Sequence, residues 1–225
     1  MQFAGLVVGV PTETMKGERR VAAMPDTVKK MTAEGAKVLV QKGAGEGSYF
    51  HDDEYRAAGA EIIDKAEYLF AKADIILKVK EPIYSEASGK HEVDMMHKGQ
   101  CIITFIHPAA PANHQMVRDM AAKGIIALTL DGIPRISRAQ TMDALTSMST
   151  VAGYKALLMA ANRLPKFMPM VGTAVGMIKP ATVTVIGTGI AGLQAVAVAK
   201  RLGAVVNSID IRPDANEQAK SLGAK

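Results

Sequence analysis

The chain has 225 residues, enough for one large or two small domains, and its 48% hydrophobic and 22% charged residues are ordinary for a globular protein. A formal net charge of +5 combines with only 4% aromatic residues and no long basic run, so we expect no nucleic-acid-binding surface. The single Cys101 excludes an internal disulfide framework, and prolines and charges interrupt the longest apolar stretch, which argues against a membrane span.

The first 130 residues alternate between strand-like and helix-like segments. Short β-branched runs predict strands at 6–10, 37–41, 61–63, 74–79, 101–106 and 125–130. Helix periodicity, with Pro25 before the first helix and Gly35 after it, predicts helices at 26–34, 53–58, 65–71, 91–97 and 113–122. The glycine-rich stretch 43–48 lacks the Lys-Ser/Thr ending of a P-loop and is expected to be a flexible turn. This alternation predicts a Rossmann- or flavodoxin-like domain with a mainly parallel sheet covered on both faces.

Three polar residues follow predicted strands of this first domain, namely Arg20, Lys80 and His107. Because the carboxyl ends of parallel strands face one crevice, these side chains are candidates to converge there. Arginine and lysine would clamp a carboxylate, and the histidine would serve as general acid or base. The alternative is that all three are surface residues that pair with Glu18 or Glu81.

A polar segment, PRISRAQTMD, follows the sixth predicted strand and lies beside the predicted domain junction. Its candidate site residues are Arg135, Arg138, Gln140 and Asp143. Gln140 is able to hydrogen-bond a carboxamide as both donor and acceptor, and Arg135 and Asp143 would orient it or pair with each other. The alternative is an ordinary helix start with Asp143 in the first turn. From residue 142 to about 163, the apolar pattern predicts a long helix that joins two domains.

Residues 182–212 carry the pattern of a dinucleotide-binding unit: a strand, a GxGxxG turn, a helix that ends before Gly203, and a second strand at 205–209 that leads to Asp210. The turn needs Gly187 for its tight bend, Gly189 for close approach of a pyrophosphate and Gly192 for helix–strand packing. The helix N-terminus would receive the phosphates. A carboxylate at Asp210 would accept hydrogen bonds from the adenosine ribose and repel a 2′-phosphate, so NAD is favoured over NADP.

The predicted fold class is α/β, with two domains of mainly parallel sheet linked by a long helix. The predicted boundaries are an N-terminal α/β domain at 1–140, a linker helix and connection at 141–180, and the beginning of an NAD-binding Rossmann domain at 181–225. A complete dinucleotide-binding fold has about six strands. Only two are predicted after residue 180, so we expect the second domain to be incomplete. No metal site is predicted.

Motifs along nearly the whole chain resemble those of the family of alanine dehydrogenases and the NAD-binding component of proton-translocating nicotinamide nucleotide transhydrogenases. They are VGVPTET–GERRVA, QKGAGEGS, LKVKEP, TFIHPAA, PRISRAQTMDAL, VAGYKA, VIGTGIAGLQA and AKRLGAVV–DIRP. The PRISRAQ-MD segment resembles the transhydrogenase branch, whereas alanine dehydrogenases carry a different sequence there.

Resemblance to that branch implies that NAD(H) lies in a cleft between the domains and gives hydride to NADP(H) on a partner component. It implies coupling to proton translocation through a membrane-embedded component. It also implies a cytoplasmic homodimer, associated peripherally with the inner membrane through those partners and not itself inserted. The positions that match cofactor contacts are Arg135, Gln140 and Asp143 near the nicotinamide, Thr146 where the family usually has serine, and Ile190, Asp210 and Arg212 at the backbone and ribose contacts.

Two other interpretations stay open. Arg20, Lys80 and His107 match the substrate-binding arginine and lysine and the catalytic histidine of alanine dehydrogenases, so the first is an NAD-dependent amino acid dehydrogenase. The second is a truncated, non-catalytic fragment that only dimerises. Because the family's chains are longer, we expect little activity from these 225 residues alone.

Overall fold

The computed structural model describes residues 2–134 and 136–225. The chain divides into two units, one ending at Ile133 and the other beginning at Pro134. Within the described residues, no helix combines the length and the apolar character that crossing a bilayer requires. Both units mix strands and helices, which confirms the predicted α/β class.

The first unit alternates strands and helices as predicted, except for a short antiparallel strand pair, formed by Tyr84–Ser85 and Lys90–His91, that was not predicted. Its strands are β1 (Val7–Val10), β2 (Lys37–Gln41), β3 (Glu61–Ile63), β4 (Ile75–Leu77), β5 (Tyr84–Ser85), β6 (Lys90–His91), β7 (Cys101–Thr104) and β8 (Ile126–Thr129). Its helices are α1 (Pro25–Ala33), α2 (Asp52–Ala57), α3 (Ala66–Lys72), α4 (Glu92–Met95) and α5 (His114–Lys123). The predicted bounds of β2 and β3 are confirmed. Strands β4 and β7 end earlier than predicted, and two residues past each strand a backbone amide donates to a carboxylate: Val79 to Glu13, and Ile106 to Asp131.

The main sheet of this unit is parallel, with the order β3-β2-β1-β4-β7-β8. Successive strands are added on one side of β1 as far as β3, and from β4 onward they are added on the other side. The point between β1 and β4 is therefore a topological switch point, and such a point opens a crevice at the carboxyl ends of the strands. Successive residues of β2 point to opposite faces. Leu39 belongs to one core cluster, and Val38 and Val40 belong to the other. Both faces of the sheet are therefore covered, as predicted.

The glycine-rich stretch after β2 forms a closely packed turn rather than the expected flexible one. A short 3₁₀ helix spans Glu46–Ser48. A Cβ built on Gly45 would lie 2.6 Å from the Tyr55 ring, and one on Gly47 would lie 2.5 Å from the Arg19 carbonyl oxygen. Glycine is thus required here for tight contact with neighbouring segments, which composition alone does not reveal.

The second unit contains helix α6 (Ala144–Arg163), strands β9 (Val171–Thr173) and β10 (Gly176–Ile178), strand β11 (Thr182–Ile186), helix α7 (Ile190–Arg201), strand β12 (Val205–Ile209) and helix α8 (Pro213–Ser221). Strands β11 and β12 pair in parallel, and the predicted β–α–β succession is confirmed. Strands β9 and β10 form a hairpin that sequence reasoning missed. Each of these two strands has three residues, which is too short for a periodic signal.

Helix α6 packs directly against α7 within this unit, although the sequence pattern predicted a connection at 141–180. Gly153 makes the close approach possible, because a Cβ there would clash with the backbone oxygen of Ala191. Leu157, one turn further along α6, is buried in a cluster with Val196 and Val206. Helix α6 is therefore part of the packed core that supports α7.

Candidate functional site

The turn between β11 and α7 has the geometry of a glycine-rich nucleotide-binding loop. Gly187 has φ +85°, a conformation that favours glycine. Gly189 is the N-cap residue of α7, and the nearest atom to a Cβ built on it is Arg212 Nη2, at 3.9 Å. A Cβ on Gly192 would clash with the carbonyl oxygen of Gly187. The three positions thus provide a bend, an open approach to the helix N-terminus and a close packing contact.

A cavity of about 280 Å³ lies beside this helix N-terminus, in the second unit. It is lined by Ile136, Ser137, Gln140, Asp143, Thr146 and Ile190. Sequence reasoning selected four of these residues, from two segments that are far apart in the chain. The structure brings those four together around one space, with polar groups on one wall and the first residue of α7 on the other.

Asp143 is the N-cap residue of α6. Its Oδ1 accepts the Thr146 amide at 2.8 Å, and its Oδ2 accepts the Thr146 hydroxyl at 2.6 Å. The carboxylate therefore caps α6, as in the alternative interpretation of Asp143, and also lines the cavity. Gln140 and Arg138 are exposed on the short 3₁₀ helix Ser137–Met142, and the predicted site residue Arg135 lies outside the described residues.

Asp210, at the end of β12, is bound to the glycine-rich loop. Its Oδ2 accepts the amide of Thr188 at 2.7 Å and the hydroxyl of Thr188 at 3.2 Å. Arg212 donates its amide to Oδ1 at 2.9 Å, its Nε to Oδ1 at 3.1 Å and its Nη2 to Oδ2 at 3.2 Å. The Arg212 side chain, followed by the backbone amides, holds the pKa of Asp210 well below its usual range. A fixed negative charge therefore lies against the loop, partly balanced by the exposed guanidinium of Arg212.

The other candidate residues lie in the first unit, where Arg20 is paired with Glu18. Arg20 Nε donates to Glu18 Oε1 at 2.8 Å, and Nη2 donates to Oε2 at 2.6 Å. The hydrogen bonds of the Arg20 side chain lower the pKa of Glu18 to about 2. The structure thus shows the pairing with Glu18 that was the alternative to a substrate-binding role for Arg20.

We expect this pair to make folding stability depend on acidity. Since the folded pKa of about 2 lies below the ordinary value of 4.5, the pair stabilises the fold above about pH 4.5 and loses this effect as the pH falls toward 2. Arg20 is 45% exposed, so screening limits the gain to about 1 kcal/mol or less. Urea unfolding of the wild type and Glu18→Gln should show a stability difference near neutral pH that shrinks on acidification. A difference independent of pH would contradict this account.

A buried cluster lies behind this surface, at the switch point of the sheet. Lys78 Nζ is 2.9 Å from Glu92 Oε1 and 3.3 Å from Glu13 Oε2, and the three side chains are 1–3% exposed. Burial raises the pKa of Glu92, while the Lys78 ammonium opposes that shift. Two carboxylates thus share one buried cation.

Glu13 also fixes the segment that carries Lys80. Its Oε1 accepts the Val79 amide at 2.6 Å, and its Oε2 accepts the Lys80 amide at 3.2 Å. Sequence reasoning selected the half-buried Lys80 and missed Lys78 and Glu13. Lys78 was the available signal for this cluster, because it is a charged residue directly after an apolar strand. Lysine is almost never buried unless it is paired, so a buried Lys78 implies an acidic partner.

His107 has φ +48°, an unusual value for a residue with a side chain. Its Nδ1 is 2.8 Å from Asp131 Oδ1, and its Nε2 is 3.8 Å from Glu81 Oε2. The side chains of Arg20 and His107 thus each lie against a carboxylate, whereas Lys80 contacts Glu13 through its backbone amide. A carboxylate ligand would have to compete with Glu18 for Arg20, which weighs against the dehydrogenase interpretation.

Comparison with known proteins places both units of the chain in one family. Residues 9–152 match the model for the alanine dehydrogenase/PNT N-terminal domain, and residues 156–225 match the C-terminal domain. The chain is 42% identical over 218 residues to the first portion of NAD(P) transhydrogenase subunit alpha of Rhodospirillum rubrum, covering 97% of this chain and 56% of that protein. It is 37% identical over 210 residues to alanine dehydrogenase of Mycobacterium tuberculosis, covering 92% and 54%.

Among solved structures, the transhydrogenase from Sinorhizobium meliloti matches with a TM-score of 0.88 and 40% identity, covering 97% of this chain and 60% of that one. The chain therefore spans about half the length of the curated relatives that it matches. These matches cover both units, so the fold and the candidate site lie within regions shared with the relatives.

Proposed function

Because this chain belongs to the alanine dehydrogenase/PNT family, we propose that it is the NAD(H)-binding component of an NAD(P) transhydrogenase. The observation that carries the proposal is the cavity in which Gln140, Asp143 and Thr146 meet the first residue of α7. The open approach above Gly189 supports it, because a pyrophosphate needs that space to reach the amides of the helix N-terminus.

Each element of the site has a role in the proposed binding mode. The N-terminal turn of α7 holds the pyrophosphate, and Asp210 accepts hydrogen bonds from the adenosine ribose. Gln140 matches the donor and acceptor of a carboxamide, while Asp143, Thr146, Arg135 and Arg138 shape or orient the nicotinamide end. The cofactor supplies the hydride chemistry when bound. The protein contributes binding and orientation, and we assign no covalent or general-base step to these residues.

We propose further that hydride passes to NADP(H) on a partner component and that a membrane-embedded component couples the transfer to proton translocation. In this proposal the chain forms a homodimer in the cytoplasm, joined to the inner membrane through its partners. The support is the relative from Rhodospirillum rubrum, whose name describes one portion of subunit alpha and so indicates that other portions exist.

Nucleotide titration tests the binding role. We expect saturable binding of NADH to the folded chain and weaker binding of NADPH, because the Asp210 carboxylate repels a 2′-phosphate. Asp210→Ala should reduce this preference by about tenfold or more, equivalent to about 1.4 kcal/mol. Nucleotide fluorescence is a suitable readout, since the chain contains no tryptophan.

Asp214→Ala is the matched control for that experiment. Asp214 is exposed in the first turn of α8, four positions from Asp210, so its removal changes the net charge equally without touching the loop. The preference for NADH should survive in this variant. Absence of binding by a demonstrably folded chain would contradict the proposal and favour the fragment that only dimerises.

An NAD-dependent amino acid dehydrogenase is the second candidate function. The observation in its favour is the position of His107 between two carboxylates at the carboxyl edge of the sheet, together with the similarity to a mycobacterial alanine dehydrogenase. Alanine-dependent reduction of NAD by the whole protein, lost in His107→Ala, would support it. Arg20 in its pair with Glu18 is the feature that weighs against it.

A further inference from the structure

The surroundings of His107 differ on the two sides of its ring. On one side, Asp131 Oδ1 lies 2.8 Å from Nδ1, within hydrogen-bonding distance. On the other side, Glu81 Oε2 lies 3.8 Å from Nε2, beyond that distance. The ring also stacks on Phe105, with centroids 5.7 Å apart and nearly parallel planes. One nitrogen is therefore bound to a carboxylate and the other only faces one.

Asp131 is itself held firmly by the backbone around it. Its Oδ2 accepts the amides of Ile106 at 3.0 Å and His107 at 2.8 Å, and the hydroxyl of Thr129 at 2.6 Å. Burial acts to raise the pKa of Asp131, but these hydrogen bonds outweigh burial and leave the pKa below its usual value. The carboxylate is therefore ionised and acts only as an acceptor.

We propose that Asp131 is a positioning residue that holds neutral His107 in its Nδ1-protonated form and leaves Nε2 as the nitrogen able to accept a proton. An acceptor at 2.8 Å requires a hydrogen on Nδ1, and the second ring nitrogen of a neutral imidazole then has none. The same carboxylate binds the amide of His107, whose φ is +48°, and so fixes both the backbone and the ring. This inference concerns the first unit and does not depend on nucleotide binding.

Glu81 is the competing candidate for control of the ring. Its Oε2 is buried and has no hydrogen-bond partner among the residues that the structure describes. If Glu81 governed the histidine, Nε2 would carry the proton and point to this oxygen. The two carboxylates thus make opposite predictions for the position of one hydrogen.

Side-chain nitrogen NMR of the full ¹⁵N-labelled chain tests this directly. The pH should be high enough to keep all five histidines neutral, and His107→Gln identifies the signal. In the wild type we expect the Nδ1-protonated form to exceed the other by about tenfold or more, as a charge-assisted hydrogen bond requires. Asp131→Asn should shift the population toward the Nε2-protonated form, and Glu81→Gln should leave it unchanged.

Three results would overturn the proposal. They are a wild-type His107 protonated mainly on Nε2, a folded Asp131→Asn variant with an unchanged population, and a shift caused by Glu81→Gln instead. The second result would assign Asp131 a purely structural role in binding backbone amides. If Asp131→Asn fails to fold, the wild-type and Glu81→Gln spectra still decide, because the two carboxylates predict different protonated nitrogens.

Discussion

Replacing Gly192 with alanine is expected to destabilise the second unit and abolish nucleotide binding together. The new methyl group would clash with the carbonyl oxygen of Gly187, so the loop or the start of α7 must move. Overpacking of this kind costs about 1–3 kcal/mol or more. The displaced loop would no longer present the amides of the α7 N-terminus to a pyrophosphate, so affinity for NADH should fall below detection.

Gly189→Ala is the matched variant that separates binding from folding. The nearest atom to the added Cβ is Arg212 Nη2, at 3.9 Å, and the backbone of Gly189, with φ −68°, suits alanine. We expect a loss of stability below about 1 kcal/mol, as for alanine at other N-cap positions. The methyl group would nevertheless occupy the approach to the helix N-terminus and weaken NADH binding by about tenfold or more.

Thermal unfolding and NADH titration of both variants, beside the wild type, complete the test. The expected pattern is an unstable, non-binding Gly192→Ala protein and a stable, weakly binding Gly189→Ala protein. Undiminished affinity in Gly189→Ala would show that no pyrophosphate lies over this residue. It would refute the proposed binding mode while leaving the fold intact.

Lys78→Met should cause the largest loss of stability in the first unit, about 3–5 kcal/mol, because removal of one partner leaves a buried charge uncompensated. The variant would keep Glu13 and Glu92 buried without their cation. Burial of a carboxylate without a cation raises its pKa, so the folded variant binds protons more readily than the unfolded chain. The variant should therefore regain stability as the pH falls toward the pKa values that these carboxyl groups have in the unfolded chain.

Lys37→Met is the control for this prediction. Lys37 pairs with Glu61 at 2.8 Å, but the two side chains are 60% and 48% exposed. A pair of this kind contributes at most about 1 kcal/mol. Urea-dependent hydrogen exchange of peptides from β1 and β4 reports on the first unit alone. Equal effects of the two substitutions would show that burial does not govern the Lys78 cluster.

The fold was predictable where a local pattern has a single structural meaning. Strand β12 was predicted with its exact bounds, and α7 was located by Gly192 at its start and Gly203 after it. Gly187, Gly189 and Gly192 lie within six residues of each other, so the geometry of this turn depends mainly on the local sequence. The parallel character of the first sheet followed from strand–helix alternation, whereas the order of its strands was not predicted.

Contacts between distant segments were not predictable in this way. The pairing of Lys78 with Glu13 and Glu92 joins three separate segments of the chain, and nothing near Lys78 reveals which acids will reach it. Asp131 approaches His107 only because β7 and β8 are neighbours in the sheet. Arg20 was identified as a polar candidate, but its choice between Glu18 and a ligand depends on side-chain geometry.

The direct contact between Gly153 and Ala191 fixes the distance between helices α6 and α7 in the second unit. Two main chains touch there, so no side-chain rotamer is available to absorb a change in the spacing of α6 and α7. The start of α6 bears Asp143 and Thr146, and the start of α7 follows the glycine-rich loop. A ligand that reaches both helix starts must match this distance, and the protein loses little conformational freedom in holding it.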